Sequence, residues 1–111
     1  MTLLTDDLKA QLLANGECAR TARTLKPLVK FFDPCGAATW LIVSMERDED
    51  TLFGLCDLGM GFPELGYVSL RELQSVKGPL GIGLERDLWF TPEKTLEAYA
   101  EEARAARHIV A

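Results

Sequence analysis

A chain of 111 residues, 48% of them hydrophobic and 26% charged, can bury about two-thirds of its unfolded surface as one domain, residues 1–111, without disulfides or metal. A formal charge of −5 and the absence of any low-complexity tract exclude a disordered polyelectrolyte. They also weigh against a sequence-independent grip on phosphate backbones, which needs a concentrated basic face.

Thr5 is a capping residue, followed by Asp6 and Asp7 at the positive end of a helix dipole, with Leu8 and Leu12 on one face. Asn15-Gly16 ends that helix. An apolar run, Leu28 to Asp33, leads into Asp33-Pro34-Cys35-Gly36, which has Asp, Pro and Gly where a type I turn prefers them. That spacing predicts a hairpin into a second strand, Thr39 to Glu46. The charged connection Arg47-Asp48-Glu49-Asp50 leads to a third strand, Leu52 to Leu58. A loop containing Gly59, Gly61 and Pro63 then precedes a fourth, Leu65 to Leu70.

Ser69 with Glu72 three residues later is a capping-box signature for a short helix to about Val76, stopped by Gly78-Pro79. A fifth strand is expected over Leu84 to Phe90. Thr91-Pro92 reads as a cap plus proline at the first helical position of a last helix. Leu96, Tyr99, Ala100, Ala103 and Val110 recur in it with helical spacing, and His108 complements its C-terminal end. The expected class is α+β: an antiparallel meander sheet of about five strands with the N- and C-terminal helices packed on one face.

The opening Met-Thr-Leu-Leu-Thr-Asp-Asp has neither the positive start nor the apolar core of a secretion signal, and no apolar run approaches about 20 residues. A cytoplasmic protein without membrane contact is the expectation. Cys18, Cys35 and Cys56 are odd in number, form no C-x-x-C pair and accompany a single histidine. Neither a disulfide framework nor a zinc site is suggested, and reduced, idle thiols are expected.

The run Lys30-Phe31-Phe32-Asp33-Pro34, the pair Thr39-Trp40, the segment FGLCDLGMGFPELGYVSL and the segment GPLGIGLERDLWF together resemble a family of small bacterial proteins of unknown function. Members recur on plasmids, integrative elements and prophages. The resemblance spans Lys30 to Phe90 and implies a context, an accessory protein of mobile DNA; it brings no catalytic residue, and the alanine-rich C-terminal helix lies outside it.

Meander geometry sets every second connection at the same end, so Asp33, Asp57 and Glu64 should share a rim. Clustered carboxylates there can hold a hard cation or shift one another's pKa, but they more often cap turns and sheet ends; the rim offers no lysine or histidine to work beside them. No metal, cofactor or catalytic residue is assigned. If Leu84, Leu88 and Phe90 face the core, Arg86 points inward too, and a buried guanidinium needs a carboxylate, so an ion pair with Asp57, or with Glu64, is expected.

The glycines at 59, 61, 78, 81 and 83 match no phosphate-binding pattern. Met60 and Phe62 either fold back over a sheet edge, the commoner outcome, or form a contact for a partner. Trp40 and Trp89, both placed in strands, are expected to fill core or cover a sheet face.

The leading functional expectation is a non-enzymatic module that binds a protein partner through Asp33, Phe62, Glu64 and Arg86. The alternatives are a small metal-dependent or phosphate-handling enzyme using Asp33, Asp57, Glu64 and Arg86, and a weak nucleic-acid binder using Arg20, Arg23, Lys26 and Lys30, which is possible but not favoured.

Overall fold

A computed structural model describes residues 3–17, 19–77 and 81–111, with the side chains at 19–21 outside that description. Helix α1 spans Asp6–Gly16; Thr5 caps it by accepting from the Leu8 N–H at 3.2 Å, and Gly16 closes it. A six-residue 3-10 helix, Ala19–Thr24, then leads to the sheet. Its strands are β1 Val29–Phe32, β2 Thr39–Met45, β3 Thr51–Asp57, β4 Glu64–Ser69 and the two-residue β5 Glu85–Arg86. Every pairing is antiparallel, and the order across the sheet is β4-β3-β2-β1-β5. The class is the expected α+β, and the first four strands form the expected meander, but β5 returns to pair with β1 instead of extending the meander beyond β4.

Each connection has a local cause. The Asp33 carboxylate accepts from the Cys35 N–H at 2.9 Å, closing the β1–β2 turn. Asp48 accepts from the backbone of Asp50 and Thr51 in the β2–β3 turn. Helix α2, Leu70–Ser75, starts at Ser69, whose hydroxyl accepts from the Glu72 N–H at 3.2 Å as a capping box requires. Asp50 strengthens that start by taking the Arg71 N–H and the Ser69 hydroxyl at 2.8 and 2.7 Å. The stop expected at Gly78-Pro79 lies outside the described residues.

The helices do not share one face. Leu12 of α1 and Leu70 and Leu73 of α2 pack with Val29, Phe31, Trp40, Ile42, Met45 and Leu52. Helix α3, Leu96–Ala106, packs Leu96, Tyr99, Ala100 and Ala103 on the opposite side with Leu41, Val43 and Leu55. The reason lies in β2, which is buried from Trp40 to Met45 on both parities. A strand apolar on both faces needs a cover on each, and each fully buried Leu, Ile or Phe contributes about 1.5–3 kcal/mol.

Helix α3 also begins later than the Thr91-Pro92 cap suggests. Thr95 is its cap, accepting from the Ala98 N–H at 3.2 Å, while the Glu93 N–H is taken by the Tyr99 hydroxyl at 2.9 Å. Arg107, with φ 66°, ends it in the left-handed region, and His108 sits with Nδ1 2.9 Å from the Ala106 carbonyl. Val110 therefore lies beyond the helix and is exposed.

β5 is likewise shorter than the expected Leu84 to Phe90. The Asp87 carboxylate takes the Trp89 N–H at 2.9 Å and turns the chain, so Leu88 and Trp89 leave the sheet. Trp40 is core, as expected. Trp89 is not, being 91% exposed.

Candidate functional site

The β3–β4 loop and the β1–β2 turn meet at one rim. An added Cβ on Gly59 would lie 2.7 Å from Ala37 Cβ, and Thr39 pairs with Asp57 at the base of both connections. Gly59 and Gly61 have φ of 81° and 84°, a conformation that favours glycine, and the Met60 side chain between them points outward. Leu58, Met60 and Phe62 all point to solvent, Met60 at 70% and Phe62 at 79% exposure. Folding back, the commoner fate of such side chains, is not what this loop does. The reason is that the sheet faces beneath are already occupied: Pro63 and Leu55 are buried, and both cores are closed by helices.

The three carboxylates come to this rim but do different jobs. Asp33 is spent on its own turn. Glu64 is exposed at the start of β4, opposite Cys56. Asp57 is 2% exposed; its Oδ1 accepts from the Gly59 N–H at 2.8 Å and its Oδ2 from the Ile109 N–H at 3.0 Å. One carboxylate thus fixes the root of the loop and pins the segment after α3 under the same end of the sheet. Among the described residues, no group of three Asp, Glu, His or Cys side chains is arranged to hold a metal ion.

Arg86 does turn inward, beside Phe31, but its partner is neither Asp57 nor Glu64. Its guanidinium donates to the Leu3 carbonyl at 2.7 Å and so fastens the segment before α1. Two strands, β1 and β2, separate β5 from β3, a gap of about 14 Å at normal strand spacing, and Asp57 faces the α3 side. The expected ion pair is therefore corrected. Arg86 pairs across from Phe31, two positions from Asp33, but it lies at the opposite sheet edge from Glu64 and the β3–β4 loop that carries Phe62.

The exposed pair Leu88 and Trp89 was missed by reading Leu84 to Phe90 as one alternating strand. Asp87 is the signal that would have found it, because Asp readily caps its own turn two residues on.

The basic cluster is not a continuous face. Arg23 and Lys26 are exposed, but Lys30 donates to the Ala111 carbonyl at 2.7 Å and lies 3.7 Å from Asp87; the Arg20 side chain is outside the described residues.

Thiol chemistry follows burial. Cys35 is exposed, whereas burial pushes the Cys56 thiol up from 9.0 to about 11. The neutral thiol is thus favoured by folding, a contribution fully present below about pH 9 and lost as pH rises through 11. In peptide-mapped alkylation at pH 8, Cys35 should react rapidly while the half-buried Cys56 reacts more slowly; equal rates would contradict this burial.

Comparison with known proteins gives three findings. A family model described as "Protein of unknown function (DUF2958)" matches residues 3–110. A DNA ligase from Nitrosopumilus maritimus (strain SCM1) is 31% identical over 70 residues, covering 58% of this chain and 12% of the ligase, so the chain spans about an eighth of that enzyme's length. No solved structure matches. No helix among the described residues is long and apolar enough to cross a membrane.

Proposed function

Starting from a chain that belongs to the DUF2958 family of proteins of unknown function, we propose that it is a non-enzymatic module that docks on a protein partner through the β3–β4 loop. The observation that carries this reading is the exposure of Leu58, Met60 and Phe62 on a tip held by two left-handed glycines and a buried aspartate. Apolar side chains kept in water by a fixed backbone gain free energy when a partner covers them, and a preset backbone lowers the ordering cost. Asp33 and Glu64 form the polar flank of the same rim. Cytoplasmic action in bacteria, as an accessory of mobile DNA, completes the proposal.

The partial likeness to a DNA ligase supports a partner from DNA-handling machinery, and it is also the observation that favours a second reading, direct contact with nucleic acid. A net charge of −5 and the loss of Lys30 to internal contacts weigh against that reading.

Capture from the native bacterium with the wild-type chain and with a Met60→Ser/Phe62→Ser double variant separates these readings. The double variant should fold with stability within about 0.5 kcal/mol of wild type, because both residues are exposed. It should lose the captured protein. Capture unchanged by the substitutions would overturn the proposal, and salt-sensitive retention on DNA would favour the second reading.

A further inference from the structure

β4 ends the sheet on one side, and among the described residues β3 alone pairs with it. The Leu70 N–H bonds to the Asp50 carbonyl at 2.8 Å, which fixes the alternation along the register. Glu64, Gly66 and Val68 exchange backbone bonds with β3, so the backbone groups of Leu65 and Tyr67 point outward, away from the sheet. Natural edges are usually blunted by lysine, proline or a bulge. Leu65 to Val68 contains none of these, its pairing with β3 is regular, Tyr67 is 64% exposed, and a Cβ added at Gly66 would meet nothing within 4 Å.

We propose that this edge pairs with the β4 of a second copy of the chain, antiparallel, with Gly66 facing Gly66 of the partner subunit across a two-fold axis. In that register Leu65 lies opposite Tyr67 of the partner subunit, and the reverse, so the outward backbone groups satisfy one another in four bonds. The central glycine pair leaves the axis free of side chains on the α1 side. On the α3 side each exposed Tyr67 ring covers a half-buried Leu65 of the partner subunit.

Self-complementarity favours a second copy over a foreign strand, because the register that sets Gly66 on the axis also keeps like charges apart. Glu64 is the single charged residue of β4, and the register sets it opposite Val68 of the partner subunit. The two glutamates then stand about 13 Å apart, four residues along a strand, so a chain of net charge −5 self-pairs here without opposing like charges. The contact is short, bounded by Pro63 and by α2. The dimer is therefore concentration-dependent rather than obligate.

Sedimentation across micromolar to millimolar concentration should show a monomer–dimer equilibrium. Tyr67→Lys should abolish it with an unchanged far-ultraviolet circular dichroism spectrum. Gly66→Cys, which adds a side chain into open space, should cross-link into a symmetric dimer under mild oxidation, beyond the wild-type background from its own cysteines. Glu72→Cys on the exposed side of α2 should not. The Met60→Ser/Phe62→Ser variant should dimerise like wild type, which keeps this inference separable from the loop proposal. A monomer at every concentration, or a dimer indifferent to Tyr67→Lys and unlinked by Gly66→Cys, would overturn it.

Discussion

Alanine at position 54 should destabilise the fold by more than about 3 kcal/mol, the range reserved for overpacking that the surroundings cannot absorb. Gly54 sits in the middle of β3, and a Cβ there would lie 2.0 Å from the Leu41 carbonyl oxygen and 2.9 Å from Ile42 Cα. Both are backbone atoms of β2, so no side-chain rotation relieves the clash. β2 is itself held by β1 on its other side and shifts register between Ile42 and Ser44, directly opposite this site. The two central strands would have to part, and they anchor both cores. Gly66→Ala is the control: its Cβ meets open space, and its cost should stay within about 0.5 kcal/mol. Urea unfolding of the two variants checks the contrast, and equal midpoints would contradict this account of β2–β3 packing.

Asp57→Ala should cost about 2–5 kcal/mol, because it leaves the Gly59 and Ile109 N–H groups without their acceptor in a buried setting. Asp57→Asn should fall between that variant and wild type. Its amide oxygen can keep one of the two donors, while its NH2 group meets the other N–H as donor against donor. Hydrogen exchange gives the signature: the amides of Gly59 and Ile109 should lose protection together, although they are fifty residues apart in sequence. The loop root loosens with them, so Asp57→Asn should also weaken partner capture without altering the apolar tip. Retained protection at both amides would show that the carboxylate does not hold them.

Local signals carried most of the fold. Thr5 and Ser69 cap the helices they were expected to cap, Asp33 turns the first hairpin, and the first four strands pair in sequence order. The two-sided burial of β2 was also written in the chain, since Trp40 to Val43 is apolar without alternation, the mark of a strand covered on both faces. Period-two reasoning failed at Asp87, where a side chain competing for a backbone N–H outweighed the alternation of Leu84, Arg86 and Leu88.

The rim was legible because meander topology brings alternate connections together. What each rim residue does was not. Asp57 answers to Ile109 and Arg86 to Leu3, 52 and 83 positions away, and neither contact leaves a periodic trace. The outward set of Met60 and Phe62 depends on the positive φ of Gly59 and Gly61 and on faces already filled by helices.

The docking loop is the claim on which the rest of the functional account stands, and site-specific photo-crosslinking in the native cell tests it most directly. A benzophenone side chain at position 62 should yield one discrete protein adduct. The same group at position 104, on the exposed side of α3, should yield none. Adducts of equal pattern from both positions, or adducts to nucleic acid alone from position 62, would contradict a protein-docking role for this loop.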